Sequence, residues 1–386
     1  MKNRIFFQVK KLLFQLACLP FPIRRKRLLI VRLDAIGDYV LFRNCLEHIN
    51  NSERFSGYSI SLLGNSLWKD LAEGLDNKII RNFFWINPSI LYNLSDFPIH
   101  RTLLLVKLKL HGFDIVLHPV HSRMFAIDKF ISNLKSSVLI ASSGDTINYT
   151  NEEKVTADLI YSELIPVPGA EVFEFYRNIQ FTENLVKKKV SNPELKIILN
   201  KSLLPKPAIV ISPGAGHLRR RWPAENFASV IQKLAQVYPD AFFYICGSAA
   251  DNSIAEKIIT ESKVLQIKNM CGNQSLMEFT ELMNNSTLLI SNESSAIHIA
   301  AAVNIAAVCL SNGTMFGRFN PYPSELNKYI NTLYADSVYN DPDKFHDNVR
   351  RTQVFSDTEI SLLKIDDVFD ACTRIMNENT YKINVK

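Results

Sequence analysis

Three groups of residues in this chain have types and spacings that suit chemistry. Ser291-Asn292-Glu293-Ser294-Ser295-Ala296-Ile297-His298 sets short polar side chains between an apolar run, Thr287 to Ile290, and a helix-forming run, Ala296 to Val303. A strand, a tight turn and a helix N-terminus in that order would aim free amides and the positive end of the helix dipole at a guest, and a phosphate is the natural one. A plain Ser/Asn helix cap leaves the same pattern. Pro213-Gly214-Ala215-Gly216-His217-Leu218-Arg219-Arg220-Arg221-Trp222-Pro223 joins a turn to three successive arginines, and guanidinium groups bind phosphate oxygens bidentately. A solvated basic loop is the alternative, and the G-x-G lacks the third glycine of the dinucleotide fingerprint. In Asp34-Ala35-Ile36-Gly37-Asp38, Gly37 permits close backbone approach. Asp38 is either a helix cap or a carboxylate facing a cleft and available as a base. His118, His121 and Arg123 follow another strand end, where they can line a cleft. Two histidines three apart also suit a metal, but no third ligand lies near them.

The elements that would hold these residues alternate. Leu28–Leu33 is a branched apolar run that reads as a buried parallel strand, and a helical pattern follows from Tyr39 to Ile49. Strands are expected at Tyr58–Leu63, Phe113–Leu117 and Ser137–Ala141, and helices at Leu67–Leu75 and Leu91–His111; Ile79–Ile86 is weakly patterned. From Glu152 to Leu204 the pattern loosens, and Asn192-Pro193 and Pro205-Lys206-Pro207 suit a connection between domains. A second series begins at Ala208–Ser212. It continues with a helix at Ala224–Val237, a strand at Ala241–Cys246, the turn ending in Asp251, a helix at Asn252–Glu261, a strand at Val264–Ile267 and a helix at Leu276–Met283. After the polar stretch come a strand at Ile305–Leu310, a loop-rich region from Met315 to Arg351 and a closing helix at Leu362–Asn377. Repeated βα units give parallel sheets covered on both faces, and such sheets bind ligands at their carboxyl edges. The boundaries read as a basic segment (1–25), two α/β domains (26–200 and 201–360) and a closing helix and tail (361–386).

Composition narrows the class. A chain of 386 residues exceeds one ordinary core, and 47% apolar with 21% charged residues suits a folded protein. The six cysteines form no CxxC pair and several lie in apolar runs, which fits reduced, buried thiols and a cytoplasmic setting. No run is long and apolar enough to span a bilayer. The net charge of +6 comes from the N-terminus: Met1 to Arg27 holds eight Lys/Arg and no acid, and the remainder has 36 basic against 38 acidic residues. A general nucleic-acid surface is therefore not expected. Lys2 to Leu16 mixes cations with bulky apolar residues, as a helix lying in an anionic membrane surface would, so peripheral contact with the inner face of the cytoplasmic membrane is expected. Lys10 and Lys11 interrupt what would be the core of a signal peptide.

Arg32-x5-Asp38, Pro213-Gly-x-Gly-x2-Arg-Arg-Arg-Trp-Pro223, Cys271-Gly272-Asn273-Gln274-Ser275-Leu276 and Asn292-Glu293-Ser294-Ser295-x2-His298-x-Ala-Ala-Ala resemble, in order and spacing, glycosyltransferase family 9, the lipopolysaccharide heptosyltransferases. The resemblance runs from about Leu28 to Pro323. It implies the GT-B fold, two doubly wound Rossmann-like domains facing a central cleft, the first binding acceptor and the second donor. It implies inverting transfer, without metal or other cofactor, of a sugar such as heptose from ADP-heptose onto a lipopolysaccharide core or a related lipid-linked glycan. Asp38 matches the family's catalytic aspartate. Arg220 stands where a donor-phosphate lysine is usual, and Ser294, Ser295 and His298 match positions around the diphosphate. Glu293 matches an aspartate that holds the donor sugar, and Asp251 falls where a glutamate often faces the donor. Gly214 joins these as a donor-side candidate; Gly37, His118, His121 and Arg123 are the acceptor-side candidates. Two departures stand out. Glu293 is one methylene longer than the usual aspartate, and Ser295 brings a Cβ where a glycine is usual. A different nucleotide-sugar donor, a sugar-nucleotide epimerase and a non-catalytic glycan-binding subunit are the competing functions.

Overall fold

The computed structural model describes residues 21–92, 99–167, 169, 172–205, 207–339 and 358–383. The basic membrane segment expected at Lys2–Leu16 lies outside them. The chain divides into two compact units, Met1–Gly169 with Phe175–Pro193, and Ala170–Glu174 with Glu194–Lys386.

The first unit is built on a six-stranded parallel sheet of β1 (Arg27–Arg32), β2 (Ser59–Asn65), β3 (Asn82–Ile86), β4 (Ile115–His118), β5 (Val138–Ser142) and β6 (Glu163–Ile165), in the order β3-β2-β1-β4-β5-β6. Its helices include α1 (Ile36–Phe42), α2 (Ile99–His111), α3 (Phe125–Ser132), α4 (Asn151–Asp158) and α5 (Glu174–Val186). The central strands carry branched apolar runs with no alternation because both faces are covered. Leu29, Val31, Leu63, Val116 and Leu139 meet Phe84, Phe113, Phe130 and Ile131 in one core.

The second unit repeats the plan. Strands β7 (Ala208–Ser212), β8 (Phe242–Ile245), β9 (Ile267–Asn269), β10 (Leu288–Asn292), β11 (Ala306–Leu310) and β12 (Ile330–Leu333) form a parallel sheet in the order β12-β11-β10-β7-β8-β9. Helices α6 (Ala224–Val237), α7 (Asn252–Ser262), α8 (Leu276–Asn285), α9 (Ser295–Ala302) and α10 (Ile365–Ile383) accompany it. In α6 the buried Phe227, Val230, Ile231 and Leu234 fall three and four apart, and they share a core with Val368, Ala371, Cys372 and Ile375 of α10. Each sheet reverses its strand order once, between β1 and β4 and between β7 and β10. Crevices for ligands form at such switch points.

The expected helix at Tyr39–Ile49 is two, α1 and a separate short helix at Cys45–Asn50; the one at Leu91–His111 is represented by Ser89–Tyr92 and α2, with 93–98 outside the described residues. The loosely patterned stretch from Glu152 holds α4, β6 and α5. Arg177, Asn178 and Thr182 are buried on α5 among Phe175, Ile179 and Leu185, so polar residues interrupt its apolar face. The β9 strand starts at Ile267 because Lys263 ends α7 in a left-handed conformation and sends Leu265 into solvent. The region after Met315 contains β12, a partly exposed edge strand whose Asn331 and Thr332 break the apolar run.

Candidate functional site

The switch point of the second unit gathers most of the donor-side candidates. Strands β7 and β10 pair from Ile209–Leu288 to Ser212–Ser291, so the Pro213-Gly214 turn and the Asn292-Glu293-Ser294 turn leave the sheet side by side. Asn292, buried, ties the two together: its Nδ2 donates to the Pro213 carbonyl at 2.6 Å and its Oδ1 accepts from the Trp222 amide at 3.1 Å. Trp222 is anchored in the core and donates its Nε1–H to the Leu363 carbonyl at 3.1 Å. This fixes the end of the arginine loop against β10.

Arg220 emerges from that loop and donates through Nη2 to the Glu293 carbonyl at 2.7 Å and to Glu293 Oε1 at 3.0 Å. The other carboxylate oxygen of Glu293 accepts from Ser311, at the end of β11. Burial pushes the Glu293 carboxyl up, while Arg220 and hydrogen bonds from Ser311 and Asn320 pull it back. The extra methylene of Glu293 relative to an aspartate is thus spanned by contacts reaching two other strand ends.

Ser294 is the N-cap of α9; its Oγ accepts from the Ala296 amide at 3.3 Å and lies 3.1 Å from Ser291 Oγ. Ser294 and Ser295 keep partial exposure at the helix start, where amides and dipole favour an anion. His298, one turn further on, is buried, with Nδ1 at 2.6 Å from the Tyr322 hydroxyl. Burial, then the nearby Arg220 charge, lower its pKa to about 3. It is therefore neutral at ordinary pH, and the tautomer that accepts from Tyr322 at Nδ1 carries its proton on Nε2. Positive charge in this region comes from Arg220.

Asp251 sits apart from this group. Its Oδ2 accepts from the Ser248 amide at 2.9 Å and the Ser248 hydroxyl at 2.7 Å, and Arg221 lies 3.7 Å from Oδ1. The carboxylate backs onto the Gly214 turn, where a Cβ would come within 2.8 Å of it. It thus shapes that turn from behind.

In the first unit, β1 leads into α1. The N-cap is Ala35, so the helix-cap alternative for Asp38 is not what forms: Asp38 is the third helical residue, half-buried, at the end of the dipole that favours a carboxylate. Gly37 beside it is buried. At the strand end, buried Arg32 pairs with Asp34 at 3.0 Å, stacks over Phe42 at 4.2 Å and donates to Asn178 at 3.3 Å. At the end of neighbouring β4, His118 is wholly buried, with Nδ1 3.2 Å from Asp128 and 3.1 Å from the Tyr161 hydroxyl. Arg123, also buried, pairs with Asp128 at 3.4 Å and with Asp158. Burial lowers the pKa of His118. Burial raises that of Asp128, but His118 and Arg123 outweigh it and hold the carboxyl below its usual range. His121 Nε2 lies 3.5 Å from Asp145. His118 and Arg123 therefore sit inside a buried polar network rather than on an open wall. Among the described residues no group of three or more His, Cys, Asp or Glu is arranged to hold a metal ion.

The partners Ser311, Asn320, Tyr322, Asp128 and Tyr161 were not singled out from the sequence. Ser311 directly follows β11, at a strand end of the kind that lines ligand sites.

Comparison with known proteins bears on both units. Residues 169–346 match the family model for glycosyltransferase family 9 (heptosyltransferase). Lipooligosaccharide heptosyltransferase 2 of Haemophilus influenzae is 34% identical over 114 residues, 28% of this chain and 32% of that protein. The chain thus spans about a third of the length of that relative. Among solved structures, a family 9 glycosyltransferase from Veillonella parvula superposes with a TM-score of 0.69 at 16% identity, covering 94% of this chain and 99% of the other. E. coli heptosyltransferase WaaC, solved with ADP-2-deoxy-2-fluoro heptose, gives 0.67 at 14% identity, covering 92% and 99%. At these identities the likeness establishes the fold, GT-B with two Rossmann-like units. The chain resembles glycosyltransferase family 9 (heptosyltransferase) in sequence over residues 169–346, and it shares the fold of the solved family 9 glycosyltransferase.

Proposed function

We propose that this protein is an inverting glycosyltransferase that moves heptose from ADP-heptose onto a lipopolysaccharide core or a related lipid-linked surface glycan, working at the inner face of the cytoplasmic membrane. The observation that carries the reading is that the family match covers Gly214, Arg220, Glu293, Ser294, Ser295 and His298, most of which converge on one switch point. There Arg220 and the start of α9 meet the diphosphate as it gains negative charge, and neutral His298 donates a hydrogen bond. Arg220 and the helix supply positive charge of the kind a cation would otherwise bring. Asp38 accepts the proton of the acceptor hydroxyl as that oxygen bonds to the anomeric carbon; the bond to the diphosphate breaks and its electron pair leaves with ADP. Attack from the face opposite the leaving group inverts the anomeric centre.

A donor screen with the full chain tests this. ADP-heptose should be consumed, with ADP released, in the presence of a heptose-accepting lipopolysaccharide core. Turnover of a UDP-, GDP- or dTDP-sugar with none of ADP-heptose would overturn the donor assignment.

A further inference from the structure

One surface of the first unit has no part in that chemistry. Helix α2 turns His100, Leu103, Lys107 and Leu110 outward, spaced three, four and three residues apart on one face. Leu103 is 47% and Leu110 54% exposed, so two large apolar side chains stand in water on the same face as His100 and Lys107. No carboxylate occurs anywhere on α2. Beside this stripe the chain enters the unit through Arg24, Arg25, Lys26 and Arg27. Arg27 donates to the His111 carbonyl at 2.5 Å, which joins the two segments at the end of α2. Together they form a hollow of about 440 Å³ lined by Arg24, Arg27, Leu103, Lys107, Leu110 and His111 among others, none of them acidic. His111 reports the local field: after burial, the charges of Arg27, Arg24 and Lys107 each press its pKa down. The nearest carboxylate in this junction, Asp114, is occupied by the Lys26 and Arg27 amides at 2.8 and 2.9 Å.

Apolar side chains ringed by cations, with a concavity of headgroup size, match an anionic bilayer surface, where leucines enter the acyl boundary while Lys and Arg hold phosphates. Residues 1–20 carry Lys2, Arg4, Lys10 and Lys11 and no acid, the same sign of charge as this surface. We infer that the outward face of α2 with Arg24 and Arg27 is a docking surface for anionic phospholipid, one that adds to the basic N-terminal segment. This rests on the reading of the protein as membrane-associated and not on its transfer activity. The surface lies at the amino end of β1, and Asp38 follows the carboxyl end of that six-residue strand, roughly 20 Å away. Lipid contact and proton transfer therefore use different residues.

The test is co-sedimentation of the full chain with phosphatidylcholine vesicles with and without phosphatidylglycerol. Wild type should bind only the anionic vesicles. Leu103→Ser/Leu110→Ser and Arg24→Glu/Lys107→Glu should each bind roughly tenfold more weakly or worse, with unchanged melting temperature. Arg24→Lys/Lys107→Arg should bind as wild type. Replacing Lys2, Arg4, Lys10 and Lys11 by Gln separates the two sources. If that variant alone loses binding, the α2 surface is refuted while membrane association stands. Equal binding to neutral vesicles, or unchanged binding by both α2 variants, also refutes it.

Discussion

At the scale of single residues, the informative ones are those whose charge is set by burial. Asp38 is held at the start of a helix, the end of the dipole that favours negative charge. Asp38→Asn keeps the shape and removes the carboxylate proposed as the base. The transfer rate should fall about a thousandfold while ADP binding, measured by calorimetry, persists. Surviving transfer would assign the base elsewhere. Removing Arg220 leaves Glu293 buried without its cation. Because Arg220 keeps some contact with water, Arg220→Ala should cost about 2 kcal/mol in chemical denaturation, less than a fully buried pair would, and Arg220→Ala/Glu293→Gln should recover part of it. His298 gives a pH signature. Its folded pKa is about 3 and its unfolded value about 6.5, so its contribution to stability is complete above pH 6.5 and is lost as pH falls from there toward 3. The loss follows from protonation of the unfolded chain, at up to about 1.4 kcal/mol per pH unit. Melting curves of His298→Gln should lack that component. An equally steep fall in the variant would show that other groups produce it.

At the scale of elements, the site depends on two turns at the ends of β7 and β10. Gly214 is required because any Cβ would approach the Asp251 carboxylate to 2.8 Å, and that carboxylate already holds the Ser248 turn. Gly214→Ala should therefore cost about 1–3 kcal/mol in thermal melts and weaken nucleotide binding. Gly216, beside it in the same turn, meets no such obstacle, and an alanine there serves as the control. The β–turn–α order of both series was legible in the sequence because it is written in local patterns: branched apolar runs for buried strands, three-and-four spacing for α6, a Ser cap for α9. Elements α5 and β12 were not, because buried Arg177, Asn178 and Thr182 in one, and an exposed edge in the other, remove the contrast that periodicity needs.

At the scale of the whole molecule, the chain holds two parallel sheets of the same strand order, each with its own switch point, and the family match falls on the second unit. Nucleotide should accordingly act locally. In hydrogen exchange, ADP should protect Gly214–Arg221 and Glu293–His298 and leave β4 and α3 unchanged. At a hundredfold excess over its Kd it should stabilise the folded second unit by about 2.7 kcal/mol. Protection confined to β4 and α3 would place the nucleotide in the other unit. What the sequence determined by itself is the succession of βα units, the strand-to-helix passages that carry Asp38, Gly214 and Glu293, and four short motifs whose order resembles one family, because each depends on residues a few positions apart. Only the tertiary structure decided that Arg220 bonds to Glu293 across 73 residues, that Ser311 and Tyr322 hold Glu293 and His298, that His298 is neutral, and that His118 and Arg123 are buried among Asp128, Asp158 and Tyr161. Those facts follow from which strands become neighbours and how much water is excluded between them, and no local pattern encodes either.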